Sequence, residues 1–138
     1  MKVLISACLL GRNCKYNGGN NFRQRVADFA AGHEIVEYCP EVLAGLGVPR
    51  TPMEIVDGIL VDRNGNVVDK AVRDAVERAM EEIEKLGIDC AVLQSRSPTC
   101  GVKQVYDGSF SGKLIDGQGV FAKALMEAGI KVIDAEDV

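Results

Sequence analysis

The sequence predicts a single α/β domain spanning residues 1–138, with a mainly parallel sheet flanked by helices and a β-hairpin insertion at about 54–69. Three observations predict it. An amphipathic helix, a glycine and a β-rich run recur three times, in FRQRVADFAAG–HEIVEYC, AVRDAVERAMEEIEKLG–IDCAVLQS and FAKALMEAG–IKVID. Helices alternating with strands through short loops act as crossovers, and crossovers make the strands they join parallel. The segment EIVDGILVDRNGNVVDK breaks that rhythm, with two β-rich runs around Asn64-Gly65, a two-residue hairpin signal. Finally, 138 residues with 47% hydrophobic and 26% charged side chains suit one folded core.

In chain order, MKVLISACLL opens with an apolar run that reads as a first buried strand. It is short for the core of a signal peptide and lacks a cleavage site, so a cytoplasmic protein is expected. No window has the length of a membrane span. In the second helix Val72, Val76, Ala79, Ile83 and Leu86 keep helical spacing, while Glu81, Glu82 and Lys85 fall elsewhere on the wheel. Gly32, Gly87 and Gly129 stand where a left-handed residue ends each helix. KYNGGNN and YDGSFSGKLIDGQG read as glycine-rich loops, the second shaping or covering a pocket.

Charge narrows the partners. The net charge is −4, the two signs are mixed along the chain, and no basic block or Trp is present. This argues against nucleic acid as the main partner. Five cysteines in a reducing compartment do not suggest a disulfide framework. Metal ligation, thiol chemistry and inert burial remain open.

The positions of the cysteines favour the first. Parallel α/β sheets bind ligands at the carboxyl ends of their strands. Cys8 follows Val3-Leu4-Ile5-Ser6-Ala7, Cys39 follows Ile35-Val36-Glu37-Tyr38, and Cys100 comes a short loop after Ala91-Val92-Leu93. All three leave their strands at the same edge. Each alone reads as an ordinary buried thiol; three converging read as ligands. Cys90 opens its strand at the opposite edge and reads as a small core residue. Cys14, six residues past Cys8, is a ligand, a redox partner or a bystander. Thiolates suit zinc, copper(I) and iron–sulfur clusters, and spacing alone does not separate them. Structural zinc usually brings paired CxxC knuckles, which this chain lacks, whereas three scattered thiolates with an open position suit a reactive centre.

Glu41, in CPE, is either a favourable charge at a helix start or a general acid–base group. Ser97, in SPTC, either caps a turn or presents its hydroxyl to a substrate. His33 is the only histidine and starts a strand at the far edge, which excludes a Ser-His-Asp or Cys-His device there. Gly108-Ser109-Phe110-Ser111-Gly112-Lys113 imitates a phosphate loop, but one residue is missing between the glycines and Leu114 replaces Ser or Thr.

SACLLGRNCKYNGG, CPEVLAGLGVPRTPMEI, LQSRSPTCG and YDGSFSGKLIDGQGVFAKAL follow one another in an order that resembles the bacterial family known as domain of unknown function 523, which includes thiouracil desulfurases. The resemblance covers nearly the whole chain. It implies an iron–sulfur enzyme that converts a thiolated pyrimidine such as 2-thiouracil to uracil. It also implies that Cys8, Cys39 and Cys100 hold a [4Fe–4S] cluster with one iron not ligated by protein, which takes the thiocarbonyl sulfur to give a [4Fe–5S] state. The family's catalytic acid and serine fall on Glu41 and Ser97. Ser6 and Arg50, in VPRTP, are expected in the substrate pocket. Cys14 is additional to the family's three ligands, and Asn17 stands where many relatives carry aspartate. The alternative from another class is a non-catalytic iron–sulfur or zinc-binding protein, acting as a carrier or sensor.

Overall fold

A computed structural model describes all residues 1–138. Along the chain run β1 (Lys2–Ser6), α1 (Gln24–Ala30), β2 (Glu34–Tyr38), α2 (Pro40–Leu43), β3 (Met53–Val56), β4 (Ile59–Asp62), α3 (Asp69–Leu86), β5 (Cys90–Leu93), β6 (Gln104–Tyr106), β7 (Leu114–Asp116), α4 (Val120–Glu127) and β8 (Lys131–Asp134). Four of the strands form one parallel sheet in the order β2-β1-β5-β8. The α/β architecture read from the helix–glycine–strand repeats is therefore the one the chain adopts. Its first connection, β1 to β2, runs one way across the sheet, and the later ones run the other way from β1. The order thus reverses beside β1, and a doubly wound sheet opens its ligand crevice at such a reversal.

Alternation along the strands fills two cores. Leu4, Ala91 and Leu93 face Val72, Val76, Ala79 and Ile83 of α3 and Phe121, Ala122 and Leu125 of α4. Val3, Ile5, Cys90 and Val92 face the other way, toward Val26 and Ala30 of α1. Successive strand residues point to opposite faces, so one short apolar run serves both cores. Each fully buried Val, Leu or Phe contributes about 1.5–3 kcal/mol. Leu86, on the expected stripe of α3, is instead 36% exposed. It lies in the last turn, before Gly87 takes the left-handed conformation (φ +70°) and the chain drops into β5; Ala75 completes the buried face.

The hairpin turns at a different dipeptide from the one expected. Asp57 and Gly58, both at positive φ (50° and 79°), join β3 to β4, as a two-residue turn of this type requires. This pairing sends Met53 and Leu60 into the core. Asn64-Gly65 forms a further turn, held by the Asp62 carboxylate accepting from the Asn64 and Asn66 amides, and beyond it Val67 makes only an isolated bridge to Val61. The YDGSFSGKLIDGQG stretch, expected as loop, contains β7, which pairs antiparallel with β6. The buried Glu54 accepts from the Gly108 and Phe110 amides (3.0 and 3.1 Å), fastening that hairpin's tip to β3.

The segment carrying Cys100 is gripped by the start of α4. The Gly119 amide donates to the Gly101 carbonyl, Val120 to Pro98, and both Phe121 and Ala122 to Thr99. Gly119 lies so close that an added Cβ would stand 2.4 Å from the Thr99 carbonyl carbon. Replacing Gly119→Ala is therefore expected to destabilise the fold by about 1–3 kcal/mol through overpacking, read by urea denaturation, and to expose Cys100 to alkylation before global unfolding.

Candidate active site at the carboxyl edge of the sheet

β1 pairs with β2 and β5 in parallel, so the three chains leave the sheet side by side. Cys8 follows β1 in a 3-10 turn, Cys39 follows β2 directly, and Cys100 lies in the loop after β5. All three line one cavity of about 520 Å3, together with Glu41, Ser97, Ser6, Arg50 and Cys14. The residues singled out from the sequence are thus brought to one place. Cys90 is not: it packs with Val3, Ile5 and Val92 on the core side. His33 bonds the N-terminal amine (3.2 Å), away from the cavity.

A buried polar chain crosses the cavity wall. Pro40 starts α2 and sets Glu41 in its first turn. Arg50 Nε donates to Glu41 Oε1 at 2.9 Å, and the two side chains are only 8% and 13% exposed. The same guanidinium donates to the carbonyls of Gly47 (3.0 Å) and Cys14 (2.8 Å). Arg50 is therefore committed on three sides, fixing Glu41 and the Cys14 loop at once. Thr99 Oγ1 donates to Glu41 Oε2 at 3.0 Å and stands 2.9 Å from Ser97 Oγ. Ser97 Oγ accepts from the Thr99 and Cys100 amides (3.1 and 3.0 Å), which folds the loop around itself. With the Thr99 proton spent on Glu41, the Ser97 hydroxyl has its own left for Thr99. The direction is then Ser97 to Thr99 to Glu41. Arg96, just before this loop, takes φ +62°, a conformation that costs a residue with a Cβ about 1–2 kcal/mol.

The thiols share one electrostatic environment. Burial pushes the Cys100 thiol up to about 12, opposed by the neighbouring hydroxyls of Ser6 and Thr99, with Cys8 and Cys39 adding to the rise. Burial likewise raises Cys8, opposed by Asn21, whose Nδ2 donates to its sulfur at 3.4 Å. Cys14 is also pushed to about 12, by burial first and by Cys39 next. Ligation removes these protons, so loading of any metal group is expected to strengthen as pH rises.

The donor set suits a group with a body. No three His, Cys, Asp or Glu side chains converge as ligands of a single ion. The three strand-end cysteines instead line one cavity, and soft thiolates are the donors that iron–sulfur clusters take.

The description 2-thiouracil desulfurase belongs to the family that matches residues 3–137 of this chain. The chain belongs to this family. YbbK of Bacillus subtilis (strain 168), an uncharacterized protein, is 31% identical over 146 residues, covering 99% of this chain and 97% of YbbK. A solved structure of the [4Fe–4S]-dependent thiouracil desulfidase TudS superposes with a TM-score of 0.92 at 31% identity, covering 99% of this chain and 92% of that one. Like TudS, this member of the desulfurase family is an α/β protein with the parallel sheet described above. No helix in it is long and apolar enough to cross a membrane.

Sequence reasoning passed over Thr99, Asn21 and Gln94. Only the adjacency of Thr99 to Cys100 hinted at its place; its partner Glu41 lies 58 residues away. Thr99→Val removes the hydroxyl and keeps the shape, leaving Glu41 Oε2 and Ser97 without their shared partner. It is expected to cost about 1–3 kcal/mol in urea unfolding, whereas Thr99→Ser, which keeps the oxygen, costs less than half as much.

Proposed function

We propose that this chain desulfurates a thiolated pyrimidine such as 2-thiouracil, using a [4Fe–4S] cluster held by Cys8, Cys39 and Cys100. One observation carries the reading: three strand-end thiols line the same cavity as a buried acid–arginine pair, in a chain whose family match runs nearly end to end. The cavity, about 520 Å3, is within the range that takes a small molecule. TudS, a [4Fe–4S]-dependent thiouracil desulfidase by its description, supports the same cofactor here.

Bound there with one iron free of protein ligand, the cluster supplies a soft Lewis acid for a thiocarbonyl sulfur. The net change needs no oxidant or reductant. Water's oxygen replaces sulfur at the thiocarbonyl carbon, sulfur leaves at the sulfide level, and the two protons of water are carried away. Glu41 is the proton acceptor in this reading. Its Oε1 is held by Arg50, so Oε2 takes the proton, directly or through Thr99 Oγ1. Ser97 orients the incoming water or the ring while its oxygen keeps the loop closed around Cys100. Ser6, buried at the end of β1, accepts from the Gln94 amide at 3.0 Å and so ties the end of β1 to the start of the loop that carries Cys100. Arg50 acts through Glu41 and does not need to touch the ring. Cys14 stays off the cluster in this reading, since a fourth thiolate would close the open position.

Anaerobic reconstitution with iron and sulfide, followed by metal analysis and 2-thiouracil turnover on the same sample, tests this. About four irons per chain and formation of uracil are the expected results. Cys8→Ser, Cys39→Ser and Cys100→Ser lose both, and Cys14→Ser keeps both. Glu41→Gln keeps the iron and lowers kcat by roughly 10²- to 10⁴-fold. Iron without turnover of any thiolated base would leave a carrier or sensor; zinc in place of iron would remove the reading.

A further inference from the structure

Gln94 is the first residue beyond β5, at the carboxyl edge of the sheet. Its backbone amide donates to Ser6 Oγ at 3.0 Å, and the residue lines the cavity that also holds Cys8, Cys39, Cys100 and Glu41. Its Oε1 atom is buried and has no hydrogen-bond partner, the one side-chain nitrogen or oxygen in the chain in that state. Every other fully buried side-chain nitrogen or oxygen has a partner. Ser95, the next residue, bonds Asp134 at 2.5 Å, and Thr99 serves Glu41 and Ser97. An unpaired buried carbonyl is costly, and a turn of the Gln94 terminal amide brings this one to the cavity, where a ligand donor completes it.

The missing partner is a donor. Arg50, Ser6 and Thr99 are already committed to other acceptors or to the loop. A cyclic thioamide brings a donor of its own, because a ring N–H flanks the thiocarbonyl carbon. We propose that Gln94 Oε1 accepts a hydrogen bond from the ring N–H next to the reacting carbon, making Gln94 a substrate-binding and specificity residue for N-unsubstituted thiolated bases. The inference rests on the desulfuration reading for the identity of the ligand. A site built to bond an N–H rejects analogues lacking it, because its buried acceptor is then left unpaired.

The test pairs the residue with the ligand atom. Reconstituted wild-type protein and Gln94→Met, which keeps the length and removes the acceptor, are each given 2-thiouracil, 1-methyl-2-thiouracil and 3-methyl-2-thiouracil. Equilibrium binding by calorimetry and turnover are both measured. The expected result is that Gln94→Met weakens Kd and raises KM for 2-thiouracil roughly tenfold, with kcat changed far less. For the analogue methylated at the bonded nitrogen the substitution has no effect, while for the other it keeps its tenfold effect. This non-additivity marks a direct contact; a merely structural role moves all three ligands equally. Equal weakening of all three, or no weakening of any, overturns the inference. Nitrogen-specific weakening of binding without turnover by wild type upholds the contact and removes the desulfuration reading. Absence of binding by wild type removes both.

Discussion

The parallel pairing of β1 between β2 and β5 is the constraint on which the rest depends. Ser6 lies opposite Tyr38 and Ile5 opposite Val92, so three chain exits are set side by side at one edge. Cys8 and Cys39 then share a cavity by strand pairing alone, and Cys100 joins them once its loop is folded back. Register in a sheet buried on both faces is strongly specified, since a slip by one residue would turn Leu4 and Ala91 from the α3–α4 core toward α1. The strength of the apolar alternation is thereby converted into the placement of polar and thiol groups beyond it.

Around that edge, the loops are held by backbone contacts that exclude side chains. Gly119 approaches the Thr99 carbonyl, and an added Cβ on Gly101 would stand 2.7 Å from the carbonyls of Ser97 and Gln104. Glycine at these two positions is therefore a packing requirement. The result is a Cys100 loop pinned from α4 on one side and by the Ser97 hydroxyl from within. Such support keeps the cavity-lining side chains in place without a regular element beneath them.

Electrostatics at the site are arranged in opposition. Glu41 and Arg50 form the one ion pair of the chain in which both side chains are nearly buried, and thiols raised by burial line the same cavity. Removing one member of such a pair strands a charge, which usually costs more than the pair contributes. The pair is better understood as fixing the carboxylate's orientation toward Thr99 than as a source of stability. Its other ion pairs, such as Lys70–Asp74 along α3, lie on exposed faces and contribute little.

The sequence by itself determined the α/β class, the strand ends and the three cysteines that leave them, because helical and strand periodicities mark where elements stop. It also carried the family motifs. It pointed to Asn64-Gly65 as the hairpin turn, whereas burial of Met53 and Leu60 sets the turn at Asp57-Gly58, a dipeptide equally competent locally. It did not disclose that Arg50 is spent on Glu41 and Cys14, that Thr99 links Ser97 to Glu41, or that Gln94 Oε1 is left open. Those are side-chain hydrogen bonds between distant segments, or the lack of one. Only the packed tertiary structure decides them, since direction and burial of a polar atom have no period along the chain.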